Sequence, residues 1–213
     1  KPQGVATFEF PHLLRMVQGC QFDTAYHEHY SYLSLTAVQR IFAANGLVVV
    51  DVQELPTHGG SLRVYAQRSD SGEQARSPRV DQQITCEQEA RLLHREGYAG
   101  FQQRAEKVKD DLLAFLIQAR KEGKRVVAYG AAAKGNTLLN FAGVRPDLLP
   151  FVLDRNPAKQ GHYMPGSRIP ILAPEGVLER ARPDYVLVLP WNLVDEVKTQ
   201  LAEISKWGGR FVT

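Results

Sequence analysis

The residues best suited to chemistry are gathered in one short stretch, Tyr26-His27-Glu28-His29-Tyr30. Two imidazoles, a carboxylate and two phenols in this order suit general acid–base catalysis. An imidazole exchanges protons near neutral pH, and a carboxylate beside it orients the ring and raises its basicity. The same side chains can ligate a transition metal. His27 and His29, however, lack the spacing of a helical ligand pair, and share a face only if the segment is extended. A polar loop without any chemistry has this composition too. The acid–base reading is the one carried forward, with no metal.

Three further runs invite a functional reading. His58-Gly59-Gly60 separates two apolar stretches. It reads as a hairpin turn in which glycine supplies positive φ, or equally as a close backbone approach to a ligand. Gly130-Ala131-Ala132-Ala133-Lys134-Gly135-Asn136-Thr137 follows a strand pattern and opens a helix. Small residues there permit close approach, the helix start offers N–H groups to an anion, and Lys134 adds charge. The run is neither the G-x-G-x-x-G fingerprint nor a Walker A loop, so phosphate binding and plain packing stand as equal readings. Asp154 to Gly166, with Arg155, Asn156, Lys159 and His162, follows the carboxyl end of a strand. Open α/β sheets place ligands there, and the length and polarity of the run favour function over a plain surface connection.

The elements that must position these residues follow from periodicity. Val5 to Phe10 reads as a strand, and Leu13, Leu14, Met16 and Val17 as a helix ending at Gly19. Ser34 is the expected N-cap of a helix carrying Leu35, Val38, Ile41 and Phe42, closed by Asn45-Gly46. Leu47 to Val52 and Ser61 to Gln67 read as strands flanking the glycine turn. Ser69 to Pro78 has linker composition. Two helical patterns lie between Cys86 and Gly123, the second striped by Val108, Leu112, Leu113, Leu116 and Ile117. From Lys124 strands and helices alternate: strands at Val126 to Tyr129, Phe151 to Asp154, Asp184 to Leu189 and Arg210 to Thr213, with helices through Phe141, Pro174 to Arg182 and Leu193 to Trp207. Such alternation predicts a parallel sheet, a Rossmann-like α/β half.

The bulk properties narrow the function classes. The 213 residues, 44% hydrophobic and 23% charged, suit one large or two small soluble domains. A net charge of +3 with no basic block argues against a nucleic-acid surface. Cys20 and Cys86 form no CxxC pattern, which disfavours a disulfide framework or a cysteine zinc site and fits a cytoplasmic location. No apolar run approaches the roughly 18 residues of a membrane span. The chain starts at Lys1 and enters a strand almost at once, so the expectation is a piece of a longer protein.

Tyr26-His27-Glu28-His29-Tyr30-Ser31-Tyr32-Leu33-Ser34, Pro56-Thr57-His58-Gly59-Gly60-Ser61-Leu62-Arg63 and Tyr129-Gly130-Ala131-Ala132-Ala133-Lys134-Gly135-Asn136-Thr137, in that order, resemble the sugar C-methyltransferases. The resemblance covers nearly the whole chain. It implies that residues 1–68 are the tail of a class I methyltransferase domain, 69–123 a linker with connecting helices, and 124–213 a Rossmann-like parallel-sheet domain. It also implies methylation at carbon 3 of a dTDP-linked 4-keto-deoxysugar by S-adenosylmethionine, the family's Tyr-x-Glu-His motif falling on Tyr26, Glu28 and His29. His29 is then the general base, with Glu28 and Tyr26 positioning the sugar or polarising its oxygens. His27, His58, Gly59 and Gly60 line the sugar pocket, and Lys134, Asn136, Arg155 and Lys159 serve the nucleotide. The family's zinc cysteines and acidic-Gly-x-Gly loop are absent from these residues. The expectation is therefore that zinc and most of the cofactor contacts belong upstream and that this chain binds substrate only. A non-catalytic nucleotide-sugar-binding module and, less favoured, an NAD-dependent oxidoreductase are the competing readings.

Overall fold

A computed structural model describes residues 1–213. They form two compact units: Lys1–Phe22 with Glu28–Arg104, and Asp23–His27 with Ala105–Thr213.

The first unit is built on a three-stranded sheet of β1 (Val5–Pro11), β2 (Leu47–Leu55) and β3 (Ser61–Arg68). β3 lies in the middle and runs antiparallel to both neighbours. Alternation along β3 puts Leu62, Val64 and Ala66 on one face, all fully buried. That face packs on α2 (Leu35–Ala44) and α3 (Pro78–Glu89) through Leu35, Val38 and Val80. Ser34 caps α2 as its position predicts, its hydroxyl accepting from Ala37 N at 3.1 Å. α3 starts at Pro78 rather than near Cys86. Ser77 caps it, and proline is well placed at a first helical position, where its missing N–H costs no bond. Glu87, wholly buried on α3, accepts from Leu35 N at 2.6 Å and from Thr36 N at 2.9 Å. Its Oε1 also lies 3.0 Å from His12 Nε2, just ahead of α1 (Leu13–Gln18). A carboxylate at the start of α2 satisfies amides that the helix cannot pair itself.

The second unit carries a five-stranded sheet in the order β6-β5-β4-β7-β8, every pair parallel. Its strands are β4 (Val126–Tyr129), β5 (Val152–Leu153), β6 (Ile171–Leu172), β7 (Tyr185–Val188) and β8 (Arg210–Val212). The α/β alternation read from the sequence therefore does build a parallel sheet. Helices on both faces explain why β4 is buried at all four positions. Val126 and Ala128 face α4 (Phe101–Lys121) and α5 (Ala133–Ala142) through Leu116 and Leu139. Val127 and Tyr129 face α6 (Val177–Ala181) and α7 (Val194–Gln200) through Leu178 and Val197. Leu116 and Leu139, both buried, contribute roughly 2 kcal/mol each by transfer out of water. Two details depart from the periodicity. β6 has only two residues, too few for an alternating signal, and the pattern from Leu193 to Trp207 breaks at Leu201 into α7 and a 3-10 turn. No helix is long and apolar enough to cross a membrane.

Candidate functional site

The strand order places β4 at the centre, β5 and β6 on one side, and β7 and β8 on the other. The chain reverses direction across the sheet between β4 and β7, and it is at the carboxyl ends of such strands that open α/β folds leave a crevice. Gly130 ends β4 with φ +90°, and a Cβ there would lie 2.5 Å from Pro190 Cδ. Gly135, one turn into α5, has Leu189 where its Cβ would point, at 2.6 Å. Both glycines are thus demanded by packing, one by backbone conformation as well.

The loops after β4 and β5 are tied to each other. Ala131 N donates to Asp154 Oδ2 at 2.7 Å and Asn156 N to Asp154 Oδ1 at 2.8 Å. Lys159 Nζ donates to Ala131 O at 2.8 Å and stands 3.6 Å from Asp154 Oδ2. An ammonium has three donors, so Lys159 keeps capacity for a ligand.

Two cavities open on this scaffold. One, of about 420 Å³, is lined by Tyr26, His27, Asn136, Thr137, Lys159, His162 and Tyr163 over a floor of Ala131, Ala132 and Ala133. Asn136 keeps its side-chain oxygen buried there without a hydrogen-bond partner. The other, of about 650 Å³, sits at the β4–β7 reversal between Gly130, Asp154, Arg155, Pro190, Leu193, Glu196 and Gln200. Tyr129 lines it as well, its hydroxyl 3.1 Å from Gln200 Oε1.

Of the residues singled out in the sequence, the first cavity gathers Tyr26, His27, Asn136, Lys159 and His162, and the second takes Arg155 and Asn156. Lys134 lines neither. It is buried, with its Nζ 2.8 Å from Asn192 Oδ1 and 4.4 Å from the centre of the Trp191 ring. Trp191 Nε1 in turn donates to the buried Asp23 at 2.7 Å. Burial pushes the Lys134 ammonium below its ordinary pKa, the Asp23 charge opposing this. Burial pushes the Asp23 carboxyl up, against the Trp191 hydrogen bond and the Lys134 charge.

The Tyr26–Tyr30 stretch is a bend and turn running into irregular chain, neither helix nor strand. Tyr26 and His27 belong to the second unit, their rings 6.4 Å apart. Glu28 and His29 belong to the first, with His29 half-buried and edge-on to Tyr32 at 6.5 Å. In the β2–β3 hairpin, His58, Gly59 and Gly60 run consecutively through φ of 56°, 93° and 126°. His58 is exposed, and a Cβ at Gly60 would meet Arg15 Cβ at 2.9 Å. A non-glycine residue at positive φ stores strain, which functional turns often hold.

Reasoning from sequence missed Asp23, Trp191 and Asn192, and gave no role of their own to Thr137 and Tyr163, which lie in the runs it singled out. Asp23 and Trp191 meet across 168 residues of sequence, which no local pattern reports. No group of three or more His, Cys, Asp and Glu is arranged to hold a metal ion. The glycine pair of the first unit does not form a loop that fits S-adenosylmethionine. It lies in a hairpin rather than between a strand and a helix, and Arg15 fills the space beside Gly60.

Residues 56–213 match the family of C-methyltransferase C-terminal domains. Over 211 residues the chain is 36% identical to C-methyltransferase NovU of Streptomyces niveus, an alignment covering 99% of this chain and 50% of that protein. The chain thus spans about half the length of that relative.

Proposed function

This chain belongs to the C-methyltransferase family, and on that footing we propose that it supplies the substrate-holding and proton-transferring part of the C-methylation of a dTDP-linked keto-deoxysugar. The observation that carries the reading is the cavity beside α5, where Tyr26 and His27 share one space with Lys159, His162 and Asn136. Cationic and imidazole groups at a helix N-terminus suit a diphosphate. A phenol and an imidazole beside them suit a sugar carrying a ketone.

Carbon methylation next to a ketone requires removal of a weakly acidic C–H proton. His29 takes that proton onto a ring nitrogen; the C–H electron pair becomes the C=C bond of an enolate as the carbonyl π pair moves onto oxygen. The Tyr26 hydroxyl donates to the developing oxyanion, an interaction worth most in a dry, preorganised site, while Glu28 accepts from a sugar hydroxyl and positions the ring. S-adenosylmethionine, held outside these residues, supplies the electrophilic methyl group. The 213 residues alone then bind nucleotide sugar without turning it over.

The test is His29→Ala in the whole protein, read two ways: methyl transfer, and exchange of the substrate's C3 proton with deuterated water in the absence of methyl donor. A positioned base contributes about 10²–10⁴-fold, so both rates should fall by that order. Undiminished exchange would remove His29 from the role, and a matching loss in His27→Ala instead would transfer it to the neighbouring imidazole. Failure of this chain to bind dTDP would favour a part without its own nucleotide site.

A further inference from the structure

Lys134 stands in a run suited to a phosphate, yet it lines neither cavity and is buried. It meets the loop after β7 instead. Its Nζ donates to Asn192 Oδ1 at 2.8 Å and lies 4.4 Å from the centre of the Trp191 ring, a cation on an aromatic face. The edge of that ring carries the indole N–H, which donates to Asp23 Oδ2 at 2.7 Å. Trp191 is itself held by the sheet. Its backbone N donates to Leu189 O at 3.0 Å, and Leu189 N donates to Tyr129 O, the end of β4, at 3.0 Å. Replacing buried ions by apolar side chains of similar volume is often neutral or stabilising, so packing does not account for the charged groups here. Directional hydrogen bonds give what apolar contact does not, a fixed position.

Asp23 opens the segment Asp23–His27, which belongs to the second unit although the chain on both sides of it is counted with the first. Asp23 and Thr24 sit in the 3-10 turn Phe22–Thr24 and are both buried, and Tyr26 N donates to Thr24 O at 3.1 Å. Tyr26 and His27 then line the cavity beside α5. Three residues span at most about 10 Å, so a group that fixes Asp23 also limits where Tyr26 can go.

We infer that Asp23 and Trp191, backed by Lys134, form a buried anchor that seats the Asp23–His27 segment on the second unit and so sets the Tyr26 hydroxyl where the oxyanion develops. The three are positioning residues, acting through Tyr26 rather than on the substrate. The inference rests on the reading that Tyr26 donates to that oxyanion. It gives Lys134 a part in the reaction that needs no phosphate.

Steady-state methyl transfer by the whole protein tests the anchor. Trp191→Phe keeps an aromatic ring beside Lys134 and deletes the N–H donor. Misplacing a catalytic group by about 1 Å can cost about 10²-fold. The kcat should therefore fall at least tenfold, while KM for the sugar changes less than about threefold, because Tyr26 acts on the transition state. In a Tyr26→Phe background the same change should cost less than about twofold, since nothing is left to position. Asp23→Ala should share the loss, and Asp23→Asn, which keeps an acceptor for the indole, should recover most of it. Amide hydrogen exchange separates the anchor from general loosening: in Trp191→Phe it should quicken from Thr24 to His27 and stay unchanged from Val126 to Tyr129. Full kcat in Trp191→Phe, equal losses with and without the Tyr26 hydroxyl, or Asp23→Asn no better than Asp23→Ala overturns the inference. So does exchange that quickens in β4 as much as in the segment. Undiminished turnover in Tyr26→Phe overturns the reading of Tyr26 itself, and the inference falls with it.

Discussion

Glu87 in the first unit and Asp23 in the second are both buried carboxylates, and their surroundings treat them oppositely. Burial alone would raise Glu87, but hydrogen bonds from His12, the Thr36 hydroxyl and two amides at the start of α2 outweigh it and hold the carboxyl below its ordinary range. At Asp23 the Trp191 indole, the Lys134 charge and local amides do not make up for burial, and the carboxyl is pushed up. One network closes on itself; the other is undercompensated and borders the loop that floors the cavities. A fully paired buried ion fixes structure, whereas a perturbed, incompletely paired one marks ground where function is worth seeking.

The contrast can be broken experimentally, and the largest expected effect is at Glu87. Glu87→Ala leaves four donors, two of them buried, without their acceptor and should cost about 3–5 kcal/mol in denaturant unfolding. A loss under about 1 kcal/mol would mean that the network does not hold the first unit together. Asp23→Ala should cost less, about 1–3 kcal/mol, by orphaning the Trp191 N–H. Asp23→Asn retains an acceptor and sheds the burden of a buried charge, so at pH 7 it should be neutral or stabilising by thermal melting. If Asn costs as much as Ala, Asp23 works as a charge and the contrast with Glu87 fails. Lys134→Met keeps the volume and removes the buried ammonium. A change within roughly 1 kcal/mol is expected, and a larger loss would make Lys134 a structural ion like Glu87.

Acidity provides a finer comparison, because the two carboxyls couple to folding with opposite signs. Glu87 is depressed below its ordinary 4.5, so its contribution is complete above that pH and is lost as pH falls through its lower folded value. Asp23 is raised above its ordinary 3.8, so it favours folding below that pH and ceases to do so as pH rises through its higher folded value. Stability measured from pH 3 to 7 should therefore climb less steeply in Glu87→Gln than in the wild type, and more steeply in Asp23→Asn. Identical slopes in all three proteins would contradict the assigned directions.

How much of this was legible in the sequence depended on the distance over which each signal acts. Ser34 and the apolar spacing after it announced α2, and Val126 to Tyr129 followed by Gly130 announced the strand and turn that carry the cavities. These are local rules, satisfied by local bonds. The start of α3 was readable too, in Ser77-Pro78, but the linker-like composition before it masked the cap. Of the site, Tyr26, His27, Asn136 and Lys159 stood out by residue type, and the structure brings them into one cavity. The partners that burial creates did not stand out. Glu87 meets His12 across 75 residues and Trp191 meets Asp23 across 168, and neither an isolated Glu in a helix nor a Trp after Pro190 carries a periodic signature.

The hydrogen bond from Trp191 to Asp23 also gives the protein an internal optical gauge. The chain has two tryptophans. Trp207 donates to the Pro183 carbonyl, which does not titrate, while Trp191 donates to a carboxyl that does. In Trp207→Phe the remaining emission colour would therefore follow the ionisation of Asp23, turning a buried contact into a signal readable by light.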